Sequence, residues 1–306
     1  EIRLSLVGSE MCIRDSYYAS LQYAEERPQG RVIGERDPLK PSAYIIRHPD
    51  VQRMLLTQKA IVEGTMSLVT ECYKLFDLVH ATSGEERQRH WLLLEILTPI
   101  VKVYATEQGN RSTSLAIQVL GGYGYTMDFP VQQYYRDLRI MSLYEGTTGI
   151  QSLDLLGRKV TMENGQALQL LTAAISATIA EAAESDVLKP SADALQTEVR
   201  RVGTALKHLA QYAQAGDAER YLADATVFME MAGYVVIAWQ WLKMAVAAER
   251  CLAAEDFKKQ TRAFYEGKVH TMQFFFRYEL PHAAACAKTL ESEGQLTGLD
   301  DFKALR

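Results

Sequence analysis

Apolar residues recur at intervals of three and four over an unusually long stretch: Val51, Met54, Leu55, Ile61, Val62, Leu68, Cys72, Leu75 and Leu78. That period is the signature of one amphipathic helix, and residues 51–80 would make roughly eight turns at 3.6 residues each. A helix of this length buries its stripe only against other long helices, so the chain is expected to be an up-and-down bundle, an all-α fold. The neighbouring sequence agrees. Residues 17–27 read as the end of a helix, closed by Pro28-Gln29-Gly30, and Pro38 and Pro41 mark 31–43 as a loop. Beyond Ser83-Gly84, a second helix is expected to about Glu107, kinked at Pro99. A shorter helix over 110–120 stops at Gly121-Gly122. Pro130 fits a helix start for 131–139, residues 141–148 contain a turn, and 149–159 are helical again.

Near Glu163-Asn164-Gly165 the composition shifts to Ala-rich sequence, and a second helical bundle is expected. Its first helix is expected to carry Leu168, Leu171, Ile175 and Ile179, with further helices at about 191–213, 218–254 and 256–284, before a polar tail. Trp239, Trp241, Phe274, Phe275, Phe276 and Tyr278 read as core or interface aromatics. The organisation is then 1–16, a bundle domain over 17–163, an additional helical domain over 164–290, and a tail over 291–306.

Residues 1–16 carry no clean period. The stretch SLVGSEMCIRDS at 5–16 resembles a translated sequencing-adapter remnant. On that reading 1–16 is foreign and the chain is the C-terminal part of a longer protein; the other reading is an ordinary strand or helix end.

The 306 residues carry 33 basic and 38 acidic side chains, a formal charge of -5, with no basic block, which argues against nucleic acid as a partner. Four scattered cysteines, Cys12, Cys72, Cys251 and Cys286, form no disulfide framework or metal knuckle, which fits a reducing, cytoplasmic setting. The six histidines show no ligand spacing, so no metal is assigned. Apolar runs such as 234–241 are too short to span a bilayer.

The informative region is 118–151, QVLGGYGYTMDFPVQQYYRDLRIMSLYEGTTGIQ. Its Gly121-Gly122-x-Gly124 cluster is not a dinucleotide fingerprint, because no strand precedes it. Glycines there either let a ligand approach the backbone or simply cap a helix. Glu145, between Tyr144 and Gly146 at a break between helices, is by its chemistry either a functional base or a solvated or capping acid.

The segment resembles the C-terminal signature of the flavin-dependent acyl-CoA dehydrogenases. The match covers about residues 17–159, and the remainder looks like the extra helical domain of a longer branch. That branch includes enzymes acting on 3-methylmercaptopropionyl-CoA. Tyr144-Glu145-Gly146-Thr147 corresponds to the loop whose glutamate is the catalytic base, and Gln118 to Tyr125 to the family's Gln-x-x-Gly-Gly-x-Gly-Tyr. Tyr23-Ala24-x-x-Arg27-x-Gln29-Gly30 resembles the helix end whose arginine reaches the flavin pyrophosphate of a neighbouring subunit. The family's usual Gln-Phe-Gly is Gln29-Gly30-Arg31 here, and Gly149 stands where many members have a larger polar residue that helps hold the adenine end of the flavin. Tyr135-Arg136-Asp137 matches the aspartate-containing helix that supports the site, with Asp137 expected to orient backbone or Arg139.

The resemblance implies FAD as cofactor, with Arg27, Gln118, Gly121, Gly122, Thr147 and Gln151 on its adenosine and pyrophosphate side. It implies an acyl-CoA substrate dehydrogenated to the trans-2-enoyl-CoA. Glu145 would take the α-proton, and its burial against the acyl chain would tune it as a base. Gly146 would allow the tight backbone there, and Tyr144 would wall the acyl pocket or pack as a core tyrosine. An electron-transferring flavoprotein as acceptor and a homo-oligomer follow from the same resemblance. The fragment by itself is expected to be inactive. An acyl-CoA oxidase-like enzyme of the same fold and a non-catalytic helical module are the alternatives.

Overall fold

Helix follows helix through the computed structural model, which describes the backbone of residues 2–294 and 296–297 and the side chains from Met11 on. Among the described residues there are eleven α-helices and no strand, only an isolated antiparallel bridge between Pro28 and Tyr44. The all-α expectation holds. The chain divides into two compact units, residues 1–67 with 104–145, and residues 68–103 with 146–306. The division falls within two helices, α2 (Pro49–Ala81) and α3 (Gly84–Leu120), so each unit owns part of both.

The first unit is built on α1 (Ile2–Glu26), its parts of α2 and α3, and α4 (Val131–Arg139). Ile13, Tyr17, Met54, Leu55, Val62, Val119 and Leu138 form its core. The segment expected to be foreign thus belongs to a continuous helix, and Ile13, fully buried, is part of the core. Ser20 Oγ donates to the buried Gln58 Oε1 at 3.0 Å, a polar tie between α1 and α2.

One expectation fails here: residues 110–120 are not a separate helix, because α3 runs unbroken through Gly109-Asn110. Gly109 is a close-approach residue rather than a breaker. A Cβ built on it would lie 2.8 Å from Ile13 Cγ2 and 2.9 Å from Leu138 Cδ2, so the bare backbone is what admits both side chains. Asn110 bonds back to the Thr106 carbonyl at 2.7 Å and stays helical. Pro99 lies inside α3 without ending it.

The second unit adds α5 (Thr148–Asp154), one turn of π-helix (Leu155–Lys159), α6 (Met162–Ala182), α7 (Lys189–Gln214), α8 (Ala218–Leu222), α9 (Ala225–Ala253), α10 (Arg262–Tyr278) and α11 (Pro281–Leu290). Helix α9 is its axis, packed by α5, α6, α7, α10 and α11. It is apolar nearly all round, as a helix buried on every side must be. Trp239, Trp241, Phe274 and Phe275 are buried as expected, whereas Tyr278 is exposed and stacks on Phe274 at 4.5 Å. By length and composition α8–α9 could cross a membrane, contrary to the reading of 234–241 alone; 67% of its apolar window is buried in protein, as in a core helix.

Two long helices expected in this half are each broken. The 218–254 run is α8 and α9, and the 256–284 run is α10 and α11, with Pro281 opening α11 where it needs no N–H. The shift in composition near 163–165 coincides with a kink, because Glu163, Asn164 and Gly165 all have positive φ (48°, 55° and 83°). Most of the expected polar tail lies outside the described residues.

Candidate active-site loop and flavin-side residues

Helix α4 ends in a 3-10 turn, Ile140–Ser142, that delivers the chain to residues 143–147. Arg139 Nη1 donates to the buried Ser142 Oγ, and Ser142 in turn donates to the Arg139 carbonyl at 3.1 Å. Asp137, expected to orient backbone or Arg139, is exposed, and the Arg139 guanidinium donates to Ser142 Oγ. Then the backbone reverses. Glu145 has φ 56° and Gly146 φ 88°, two left-handed residues in succession. For a glutamate this costs of order 1–3 kcal/mol and persists only where the surroundings enforce it. For Gly146 the left-handed φ is the restriction that calls for glycine; a Cβ there would lie 2.8 Å from Gln151 Nε2, the movable end of a flexible side chain.

The exit from the reversal is fastened twice. Thr147 caps α5, its Oγ1 accepting from the Ile150 N–H at 3.3 Å. Lys102 Nζ, from α3, donates to the Gly146 carbonyl at 2.7 Å. Lys102 is only 2% exposed. Further along, the π turn carries the buried Lys159 onto Glu95 of α3, with Asp154 Oδ2 at 3.9 Å. Neither lysine stood out in the sequence; the available signal for Lys102 was a single cation inside the apolar run Ile100-Val101-Lys102-Val103.

Glu145 itself is exposed, so this chain does not supply the burial expected for it. The reason is local: Leu143 and Tyr144 beside it are exposed too, and the loop lies at the surface. Tyr144 is 37% exposed and so is not a core tyrosine. Its hydroxyl donates to Met141 Sδ at 3.1 Å, and burial and the Glu145 carboxylate push its phenol up from the usual value.

The remaining expected residues fall into two groups. In the first unit, Gln118, Gly121 and Gly122 are exposed where α3 ends, and the following turn brings the Tyr123 ring 5.4 Å from the Arg27 guanidinium. Arg27 is half-buried and held by backbone bonds on both sides: its N–H donates to Tyr23 O at 2.9 Å and its carbonyl accepts from Ile45 N at 2.8 Å. Its Nε is buried with no hydrogen-bond partner. In the second unit, Thr147 and the half-buried Gln151 lie one helical turn apart, joined by Gln151 N–H to Thr147 O at 3.0 Å.

The comparisons with known proteins bear on both halves. Residues 3–161 match the family model described as acyl-CoA dehydrogenase, C-terminal domain, and residues 171–298 match the one described as acetyl-CoA dehydrogenase C-terminal like. The 3-methylmercaptopropionyl-CoA dehydrogenase of Ruegeria pomeroyi is 35% identical over 273 residues, 88% of this chain and 45% of that protein. The chain spans a little under half the length of the curated relatives it matches along most of its own length. Among solved structures, an acyl-CoA dehydrogenase complexed with FAD from Bacillus anthracis superposes with a TM-score of 0.69 at 20% identity, covering 95% of this chain and 48% of that one. Acyl-CoA oxidase-1 of Caenorhabditis elegans, complexed with FAD and ATP, does so at 0.60 and 16%, covering 94% and 49%. These low-identity likenesses establish the fold, and the family-model match over more than half the sequence establishes the kinship: this chain belongs to the acyl-CoA dehydrogenase family.

Proposed function

We propose that this chain is the C-terminal part of an FAD-dependent acyl-CoA dehydrogenase and that Glu145 is its catalytic base. The observation that carries the reading is the Glu145 reversal: an accessible carboxylate on a left-handed residue, fastened on its C-terminal side by Lys102 and Thr147. Exposed Glu163 and Glu255 are left-handed too; what sets Glu145 apart is that its reversal coincides with the Tyr144-Glu145-Gly146-Thr147 motif and is fastened by Lys102 and Thr147.

The residues present fit a flavin dinucleotide. Arg27 offers a guanidinium whose buried Nε lacks an acceptor, the donor a pyrophosphate oxygen would satisfy. Gly121 and Gly122 leave open space, since a Cβ on either would meet nothing within 4 Å. Arg27, Gln118, Gly121 and Gly122 would hold the phosphate and adenosine side in one protomer, and Thr147 and Gln151 would do so in its partner. Bound FAD supplies the acceptor for the hydride that leaves the β-carbon.

The chain's own part is proton chemistry. The Glu145 carboxylate takes the α-proton of the acyl-CoA thioester, its backbone N–H donates to the thioester oxygen as charge develops there, and the electrons of the broken Cα–H bond form the double bond of the trans-2-enoyl product. Tyr144 walls the acyl chain. The rest of the protein covers the loop, buries Glu145 and excludes water. Exposed apolar side chains at Tyr123, Tyr125, Met127, Ile140 and Leu143 support such a cover, supplied by the preceding domains and a second copy of the chain. On this reading residues 17–163 are the catalytic bundle and 164–290 an added domain. The 306-residue chain alone then binds flavin weakly and turns over nothing. The four cysteines, none in a disulfide, fit a cytoplasmic enzyme delivering electrons to an electron-transferring flavoprotein.

An oxidase of the same fold is the second reading, favoured by the likeness to acyl-CoA oxidase-1. The dehydrogenase reading rests on the 35% identity to a dehydrogenase over 88% of this chain. Anaerobic titration of the full-length, flavin-loaded protein with a panel of acyl-CoA thioesters, 3-methylmercaptopropionyl-CoA included, tests the reaction. Bleaching of the flavin absorbance by at least one thioester is expected, followed by slow reoxidation in air. Fast reoxidation by oxygen would establish the oxidase, and no bleaching would leave a bundle without this chemistry.

A further inference from the structure

We infer that Lys102 is a positioning residue for the Glu145 loop; the inference rests on the assignment of Glu145 as base. A lysine 2% exposed is costly to bury unless its ammonium is engaged, and its Nζ donates to the Gly146 carbonyl at 2.7 Å. That carbonyl belongs to the residue directly after Glu145, in a reversal where φ is 56° and then 88°. Left to itself, such a pair relaxes towards ordinary backbone, because the left-handed conformation is disfavoured for glutamate and glycine alone does not fix it. A charge-assisted bond from a buried, immobile donor holds the Gly146–Thr147 peptide plane, and with it the direction in which the chain leaves Glu145.

Lys102 is one of two such anchors. Glu95 and Lys102 stand at i and i+7 on α3, two turns apart on one face. Glu95 takes Lys159 and Lys102 takes Gly146, so the segment from Gly146 through α5 to Lys159 is held to α3 at both ends. The π turn at Leu155–Lys159 inserts one extra residue and turns Lys159 onto Glu95. Thr147 and Gln151, the flavin-side candidates of this unit, lie between the anchors. Lys102 acts here through the loop whose Gly146 carbonyl it holds.

The test uses the full-length flavoenzyme with Lys102→Met, of similar length without the donor, beside Glu145→Gln. Expected for Lys102→Met is wild-type flavin content and a KM for the acyl-CoA within about twofold, with flavin reduction slowed about tenfold or more, the range in which a misplaced catalytic group acts. Amide hydrogen exchange should rise in the peptide covering residues 143–149 and remain unchanged in α9, a readout independent of turnover. If Lys102→Met fails to fold or to load flavin, the milder Lys102→Gln is read by the same two criteria. Wild-type reduction rate and wild-type exchange in a folded variant would overturn the inference. Glu145→Gln separates the two levels. If it is inert while Lys102→Met behaves as wild type, only the role of Lys102 falls. If Glu145→Gln reduces flavin normally, the assignment of the base falls and this inference with it.

Discussion

Arg27 shows how one side chain can be chemically legible and structurally surprising. Its identity suggested phosphate recognition, because a guanidinium matches an oxyanion's geometry. The unpartnered buried Nε and the Tyr123 ring 5.4 Å away were not readable, since they depend on how the turn after α3 folds back. An arginine anchored by its own backbone bonds and short of an acceptor should matter for cofactor retention rather than fold. Arg27→Met in the full-length protein is expected to weaken FAD binding by about 1.5–3 kcal/mol, the worth of a hydrogen bond to a charged group, with little loss of thermal stability. Flavin content after dialysis reads this directly, and an undiminished content would remove Arg27 from the pyrophosphate site. Lys102 and Lys159 are illegible in the sequence for the complementary reason: a buried cation is defined by its partners, Gly146 O and Glu95, which are distant in sequence.

At the scale of elements, α3 is the instructive case. A Gly-Asn pair in mid-run reads as a helix end, yet at Gly109 the missing side chain is spent on packing, with Ile13 of α1 and Leu138 of α4 filling the place of a Cβ. Gly109→Val should therefore overpack this crossing and destabilise the protein by about 1–3 kcal/mol, although valine has the better helix propensity. Chemical denaturation of variant and parent would show it. An unchanged or raised midpoint would mean that Ile13 and Leu138 do not close on α3 as described, and with them the placement of residues 11–16 in the core. Helix existence was legible wherever the three-and-four period ran on, as in α2 and α7. What periodicity could not give were the breaks. The turn between α8 and α9 and the π turn after α5 carry no signal in the local pattern, whereas the left-handed residues at 163–165 fall where the sequence marks a boundary at Glu163-Asn164-Gly165. The Glu145 loop was legible by motif, while its left-handed backbone and surface position came only from the structure.

Over the whole molecule, burial of thiols gives stability a definite pH dependence. Burial pushes Cys72 up to about 12 and Cys286 to about 11 from a value of 9.0, and raises the Tyr17 phenol as well. The native state therefore keeps protons that the unfolded chain releases above about pH 9, and unfolding free energy falls as pH rises beyond that point. These groups leave stability undiminished below pH 9 and erode it progressively between about 9 and 12. A denaturation midpoint that drops from pH 8 to pH 10.5 is the expected result; a midpoint that stays level or rises would contradict the buried, protonated thiols. The account of function concerns a larger molecule, since the chain spans under half the length of its curated relatives, and its centre is one carboxylate. Stopped-flow reduction of full-length wild-type and Glu145→Gln enzymes by the best acyl-CoA tests that centre most directly. A missing general base costs about 10²–10⁴ in rate, so the variant should keep its flavin and its fold while reduction slows by at least about a hundredfold. Reduction of the folded, flavin-loaded variant at the wild-type rate would contradict the account.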